Sequence, residues 1–260
     1  MKNRILALVL TLVLALPALC GAAEKIVIGV TPFPHGEIAK KMKPLLEKEG
    51  FILEIKDFTD YIQPNMALAE KSLNANFFQH IPYLENMNKE KNLGLVWVAK
   101  VHIEPLGIYS KKIKKLSELK KGDRIAIPND PTNGARALKL LQKSGLIKIK
   151  DGALVTAKDI TSNPKGLKII ELDAAQLPRT LEDTTASVIN TNFAVEAGLI
   201  PTKDALVLEG KDSPYANVLV VRAEDKNSKA TKALIKAINS PEIKKFIQTE
   251  LAPKGIVPAF

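Results

Sequence analysis

Ile127-Pro-Asn-Asp-Pro-Thr-Asn-Gly-Ala-Arg136 joins a strand end, a helix start and one arginine in a single short segment. Asp130 is a residue type that caps helices, Pro131 suits the first helical position, and Gly145 stands where such a helix would stop. The amides of the first turn would face the binding edge of the preceding strand, where they favour an anion. Asn133 and Arg136, three apart, share a helix face near that end. Arg136 offers a planar fork that takes a carboxylate through two parallel hydrogen bonds, a geometry lysine does not reproduce. A capped helix with a solvated arginine is the plainer reading of the same residues.

Phe77-Phe-Gln-His-Ile-Pro-Tyr83 is the second such segment. On a strand, Phe78 and His80 point to one face and Phe77 and Gln79 to the other. Pro82 ends the strand, so Tyr83 opens a helix beside its carboxyl end, and Phe78, His80 and Tyr83 converge. Aromatic walls suit a flexible apolar side chain, and a thioether gains further contact at ring edges. Core phenylalanines with a satisfied histidine would look the same. Asn190, after Ser187-Val-Ile189, and Asn217, in Ser213-Pro-Tyr-Ala-Asn217, offer a donor and an acceptor each, which suits an ammonium beside a carboxylate; either is also an ordinary turn residue.

Catalytic and metal chemistry leave weaker traces. His35, His80 and His102, with Glu104 or Glu37, supply donor types for a metal, and a metal-binding transport protein using His80 is one alternative. Their spacing matches no metal signature. Neither G-x-S-x-G nor H-E-x-x-H occurs, so neither an enzyme nor a bound cofactor or metal is expected. A surface interaction protein without a ligand would leave the aromatic and asparagine positions unexplained.

The elements that must position these groups alternate. Lys25–Val30, Phe51–Phe58, Asn76–His80, Leu95–Val101 and Leu106–Tyr109 read as strands, with helices at Glu37–Lys48, Pro64–Ser72 and from Pro82 to about Lys91. Alternation resumes with strands at 124–128, 167–172, 187–189, 205–208 and 218–222. The later helices are Pro131–Ser144, Leu177–Asp183, Phe193–Gly198, Lys229–Asn239 and Pro241–Leu251. This pattern predicts an α/β protein of two lobes with mostly parallel sheets, the first formed by residues 24–107 and 205–260 and the second by 108–204. Two crossings between lobes form a hinge, and ligands of open α/β sheets bind at strand carboxyl ends.

The 260-residue chain carries a formal net charge of +10. Its densest basic run, Lys111, Lys112, Lys114, Lys115, Lys120 and Lys121, lacks interleaved aromatics and is interrupted by Glu118 and Asp123, so a solvated face is expected and not nucleic acid. Lys2 and Arg4, the apolar stretch Ile5–Leu16 broken only by Thr11, and the small residues after Pro17 form a secretory signal peptide over residues 1–23. The one cysteine, Cys20, falls within it, so the mature chain has no disulfide and no thiolate chemistry.

Asn129-Asp-Pro-Thr-Asn-Gly-Ala-Arg136, Phe78-Gln-His-Ile-Pro-Tyr83, Gln176-Leu-Pro-Arg179 and Ser213-Pro-Tyr-Ala-Asn217 resemble the motifs of the methionine-binding, NlpA-type substrate-binding lipoproteins, in family order from about Lys25 to Phe260. The resemblance implies a two-lobed, type II-like periplasmic binding protein fold. It implies a monomer that binds methionine or a closely related amino acid in the inter-lobe cleft and serves the permease and ATPase of an ABC importer at the inner membrane. It implies Arg136 on the ligand carboxylate and Asn190 and Asn217 at the polar end. Tyr61, Phe78, His80 and Tyr83 would surround the side chain, with Asn133 and Glu104 joining the set.

One feature departs from the family. A small residue usually precedes the lipidated cysteine, whereas Leu19 precedes Cys20 here and Pro17 lies three residues before it. Gly21-Ala-Ala23 offers an ordinary signal-peptidase site instead. The exported protein is therefore expected in the periplasm, starting near Glu24 and without lipid. Intact-mass measurement checks this, and a diacylglyceryl-cysteine at the amino terminus would contradict it.

Overall fold

The structure, a computed structural model, describes residues 23–210 and 213–260. The expected leader up to residue 22, Cys20 included, lies outside the described residues. From the amino end the chain runs β1 (Glu24–Val30), α1 (Glu37–Glu47), β2 (Phe51–Asp57), α2 (Gln63–Ala69), β3 (Ala75–His80), α3 (Ile81–Lys91) and β4 (Leu95–Ile103). It crosses into β5 (Gly107–Tyr109), β6 (Arg124–Pro128), α4 (Pro131–Lys143), a hairpin of β7 (Lys148–Ile149) and β8 (Ile160–Ser162), β9 (Lys168–Leu172) and β10 (Ala186–Ile189). Then come α5 (Thr191–Glu196), α6 (Pro201–Asp204) and β11 (Val207–Leu208), before β12 (Ala216–Arg222), α7 (Lys229–Ile238), α8 (Pro241–Phe246) and β13 (Val257–Pro258).

Two sheets result. The first has six strands in the order β13-β4-β12-β3-β1-β2, the second five in the order β11-β5-β10-β6-β9. In α1, Ile38, Met42 and Leu46 recur every fourth residue on one face, and that face is buried against the first sheet with Ile26, Ile28, Leu53 and Phe77. Ala233, Leu234, Ala237 and Ile238 of α7 complete the same core. Leu68, Leu84, Val218 and Val220 fill the opposite face. The second sheet is likewise covered on both sides. Leu138 and Leu141 of α4 pack on Ile125, Ile127 and Val188, while Leu177, Leu181 and Phe193 pack behind Ala126 and Ile189.

The sheets are less parallel than the alternation predicts. β1 pairs with β2 and β3, and β6 with β9 and β10, in parallel; β4, β5, β11, β12 and β13 join antiparallel. The antiparallel strands flank the crossings, where a strand leaves one sheet without a helix to return it. β11 ladders onto β5, so the chain stays on the second sheet through Leu208, a few residues past the expected return at 205. The expected helix at 177–183 is a run of tighter 3₁₀ turns over Ala174–Glu182. Pro178 has no N–H to give an α-helical ladder there. The lysines of the basic run are all exposed, and no helix among the described residues is long and apolar enough to cross a membrane.

The helix that carries Arg136 is pinned at its start. Asp130 caps α4, its carboxylate accepting from the amides of Thr132 (3.2 Å) and Asn133 (2.9 Å). A Cβ on Gly134 would stand 2.9 Å from the Pro128 carbonyl oxygen, so the first turn rests against the end of β6. Gly134→Val must push the helix off that strand. The overpacking is expected to cost about 1–3 kcal/mol, read as a lower Tm; an unchanged Tm would show that the helix start has room to shift.

Candidate functional site

One pocket lies where the carboxyl ends of strands from the two sheets face each other. All nine residues singled out in the sequence line it: Tyr61, Phe78, His80, Tyr83, Glu104, Asn133, Arg136, Asn190 and Asn217. β3 ends at His80 and α3 begins at once, which sets Phe78 and Tyr83 on the first-sheet side. With Tyr61 they form a wall, ring centroids 5.9–6.1 Å apart, and Phe193 of α5 closes on Tyr61 at 5.0 Å. The Tyr61 hydroxyl donates to Asn192 Oδ1 (2.5 Å) and the Tyr83 hydroxyl to the Tyr61 carbonyl (2.9 Å). Burial pushes both phenols above their ordinary pKa, so both stay protonated and donating.

His80 is a fixed, neutral link between the lobes. The Tyr83 amide donates to its Nδ1 (3.1 Å), so the proton sits on Nε2, which donates to Asn133 Oδ1 (3.1 Å). Asn190 Nδ2 donates to the same oxygen (2.9 Å), and Asn133 Nδ2 donates to Asp130 (2.9 Å). Asn133 is thereby committed to neighbours at both ends. Burial, with the Arg136 charge adding to it, lowers the His80 pKa to about 3.

A second network lies beneath the polar end. Glu104 Oε1 is 2.8 Å from His102 Nε2 and 3.3 Å from His35 Nε2. His35 Nε2 donates to Asn217 Oδ1 (3.1 Å), and Thr31 Oγ1 donates to His35 Nδ1 (2.7 Å). The metal-donor types foreseen in the sequence do gather, with ligand atoms of His35, His102 and Glu104 within 4.8 Å of one another, but His80 stands apart in its own bonds. Burial lowers His102 to about 3 and His35 to about 4, and it raises Glu104 against the opposing charges of His35 and Arg136.

Arg136 differs most from its sequence reading. It is 4% exposed, not solvated, and its fork is already engaged. Nε donates to both oxygens of Glu209 (3.1 and 3.2 Å), Nη2 donates to Glu209 and to the Glu104 carbonyl (2.7 Å), and the Tyr215 ring covers the guanidinium at 4.1 Å. The helix amides expected to attract an anion are also spent, on Asp130. What remains for a ligand at this end includes Arg136 Nη1, the Asn217 amide nitrogen and two buried atoms with no partner among the described residues, Asn190 Oδ1 and Asn192 Nδ2. One accepts and the other donates, which fits an ammonium beside a carboxylate. Asn192, Tyr215 and Glu209 were missed in the sequence. Tyr215 lies inside the segment Ser213–Asn217 already singled out and Asn192 only two residues past Asn190; Glu209 had no signal other than the need of a buried arginine for a partner.

The histidines set a pH dependence. Unfolded, each titrates near 6.5; folded, His80 and His102 titrate near 3 and His35 near 4. Below pH 6.5 the unfolded chain takes up protons that the folded chain refuses, so stability is full above that pH and declines toward pH 3–4. Glu104, raised by burial, acts in the opposite sense, one group against three. Tm is expected to fall as pH is lowered from 7 to 4, with a shallower slope in His102→Gln; equal slopes would contradict the assignment.

Comparison with known proteins agrees with this geometry. The NlpA lipoprotein family model matches residues 26–260. The D-methionine-binding lipoprotein MetQ of Salmonella typhi is 46% identical over 233 residues, covering 86% of each chain. A nutrient-binding protein from Burkholderia cenocepacia, solved bound to methionine, superposes with a TM-score of 0.87 at 47% identity, covering 90% of this chain and 100% of that one. A periplasmic substrate-binding protein of an ABC transporter from Coxiella burnetii gives 0.86 at 45%, with 90% and 100% covered. The match runs from the first core strand to the last residue and is carried by relatives sharing nearly half their residues, with the same two-lobed periplasmic binding protein fold: the chain belongs to the NlpA lipoprotein family.

Proposed function

We propose that this protein binds methionine, or a closely related amino acid, between its lobes and delivers it as a monomer to the permease and ATPase of an ABC importer. The observation that carries the proposal is the division of one pocket into two chemistries. Arg136, Glu104, Asn190, Asn192 and Asn217 supply charges and unpartnered polar atoms at one end, and Tyr61, Phe78 and Tyr83 supply a ring-lined slot at the other. A zwitterionic head with an unbranched apolar tail satisfies both, and a thioether gains from the ring edges. The methionine named in relatives and bound in a neighbour of the same fold supports this reading. None of these groups forms a nucleophile–base pair, so the proposed role is capture and release without turnover.

In this reading Arg136 meets the ligand carboxylate, Asn190 and Glu104 face the ammonium, Asn217 contributes its amide nitrogen, and Asn133 holds His80 and Asn190 in place. The lobes hinge at Glu104–Leu106 and after Leu208. Contacts across the cleft, His80 to Asn133, Tyr61 to Asn192 and Thr202 Oγ1 to the Pro253 carbonyl (2.6 Å), are those of a closed form, which a ligand touching both lobes favours. Leader-directed export places the protein in the periplasm. Relatives carry the name lipoprotein, whereas Leu19 beside Cys20 favours release without lipid here.

Calorimetric titration of methionine into ligand-stripped Arg136→Ala tests the proposal. Removing one partner of a buried charge pair costs about 3–5 kcal/mol, or roughly two to four decades of affinity at about 1.4 kcal/mol each. Arg136→Lys is expected to recover little. Because the part-buried Glu209 is left without its cation, Tm of the ligand-free variant also falls, on the order of 10 °C at most. Wild-type affinity in Arg136→Ala would overturn the assignment of Arg136, and absence of methionine binding by the wild type would overturn the proposed ligand.

A further inference from the structure

We propose that Glu209 is a positioning residue: it grips the inner edge of the Arg136 guanidinium, ties it to both chain crossings, and leaves only the Nη1 end for the ligand carboxylate. The inference rests on the amino-acid-binding reading above and concerns a residue outside the pocket lining.

A guanidinium has five N–H donors, one on Nε and two on each terminal nitrogen. Here Nε donates to Glu209, while Nη2 donates to Glu209 and to the Glu104 carbonyl. That accounts for the whole Nε–Nη2 edge, one of the edges through which an arginine can fork a carboxylate. Tyr215 covers one face of the group, which fixes its plane. The two donors of Nη1 remain. A ligand carboxylate therefore meets Arg136 end-on, with Asn192 Nδ2 and the Asn217 amide nitrogen as further uncommitted donors at this end of the pocket.

Glu209 is itself anchored at the hinge. The Leu106 amide donates to its carboxylate (3.2 Å), and its own amide donates to the Leu106 carbonyl (2.8 Å). The residue thus links the first crossing (Glu104–Leu106), the start of the second, and α4. Its side chain is 17% exposed and that of Arg136 4%, so the pair is largely shielded from solvent and its geometry is held. Arg136 reaches the cleft already neutralised and oriented; without Glu209 the same cation would be free to turn and would carry an unbalanced charge.

A competing reading gives the opposite sign. If Glu209 stands in for the ligand carboxylate and must be displaced, removing its charge tightens binding. If it only stabilises the fold, removing it weakens every ligand alike. Titration of ligand-stripped wild type and Glu209→Gln with L-methionine and with L-methioninol, which lacks the carboxylate, separates these cases. Positioning predicts a loss of about tenfold or more for methionine, as for other charge-assisted bidentate contacts, and little change for methioninol. Unchanged or tighter methionine binding, or equal losses for the two ligands, would overturn the inference. Should Glu209→Gln not fold, the same comparison on Glu209→Asp decides. Failure of the wild type to bind methionine would instead remove the reading on which the inference rests.

Discussion

A guanidinium sealed between two sheets is the constraint from which the rest of the site follows. Arg136 is too deeply placed to be solvated, and an unpaired charge there would cost several kcal/mol. Its partner has to come from the second lobe or from the crossing strands. Glu209 supplies it from the point where the chain leaves β11, and the Glu104 carbonyl supplies the rest from the first crossing. The cation therefore marks where the two crossings lie side by side. The helix that carries it is held from below by Asp130 on its first amides and by Gly134 against the end of β6.

Around this fixed charge, polar side chains are oriented by committing one end of each. His80 keeps a bare Nδ1 for the Tyr83 amide and turns its proton to Asn133; Asn133 takes that proton and an amide proton of Asn190; His35 holds the oxygen of Asn217. Each commitment selects what is left to face the pocket, an acceptor at Asn190 and a donor at Asn192. The histidines serve because burial keeps them neutral, so each acts as a directed donor and acceptor rather than as a charge. Opposite them the rings of Tyr61, Phe78 and Tyr83 need only shape and surface, and their hydroxyls are turned away to Asn192 and the Tyr61 carbonyl.

Much of this was legible in the residues. The strand-to-helix junctions at Phe78–Tyr83 and Asn129–Arg136 could be read because proline, a capping aspartate and period-two alternation are local signals, and the capped helix stands where they placed it. The nine residues singled out share one pocket because the ends of parallel strands converge by topology. Pairing was not legible. That Arg136 is forked by Glu209 depends on a contact between residues 73 positions apart, which no local pattern encodes. The helix expected at 177–183 failed for a local reason, since Pro178 lies within it.

The central claim is that a ligand carboxylate meets the outer end of an arginine whose inner edge stays with Glu209. A crystal structure of the methionine complex tests this most directly. The account predicts a carboxylate oxygen within hydrogen-bonding distance of Arg136 Nη1, about 2.7–3.1 Å, with Glu209 still on Nε and Nη2 and the thioether among Tyr61, Phe78 and Tyr83. A carboxylate that takes the Nε–Nη2 edge and expels Glu209, or one that lies away from Arg136, would contradict it.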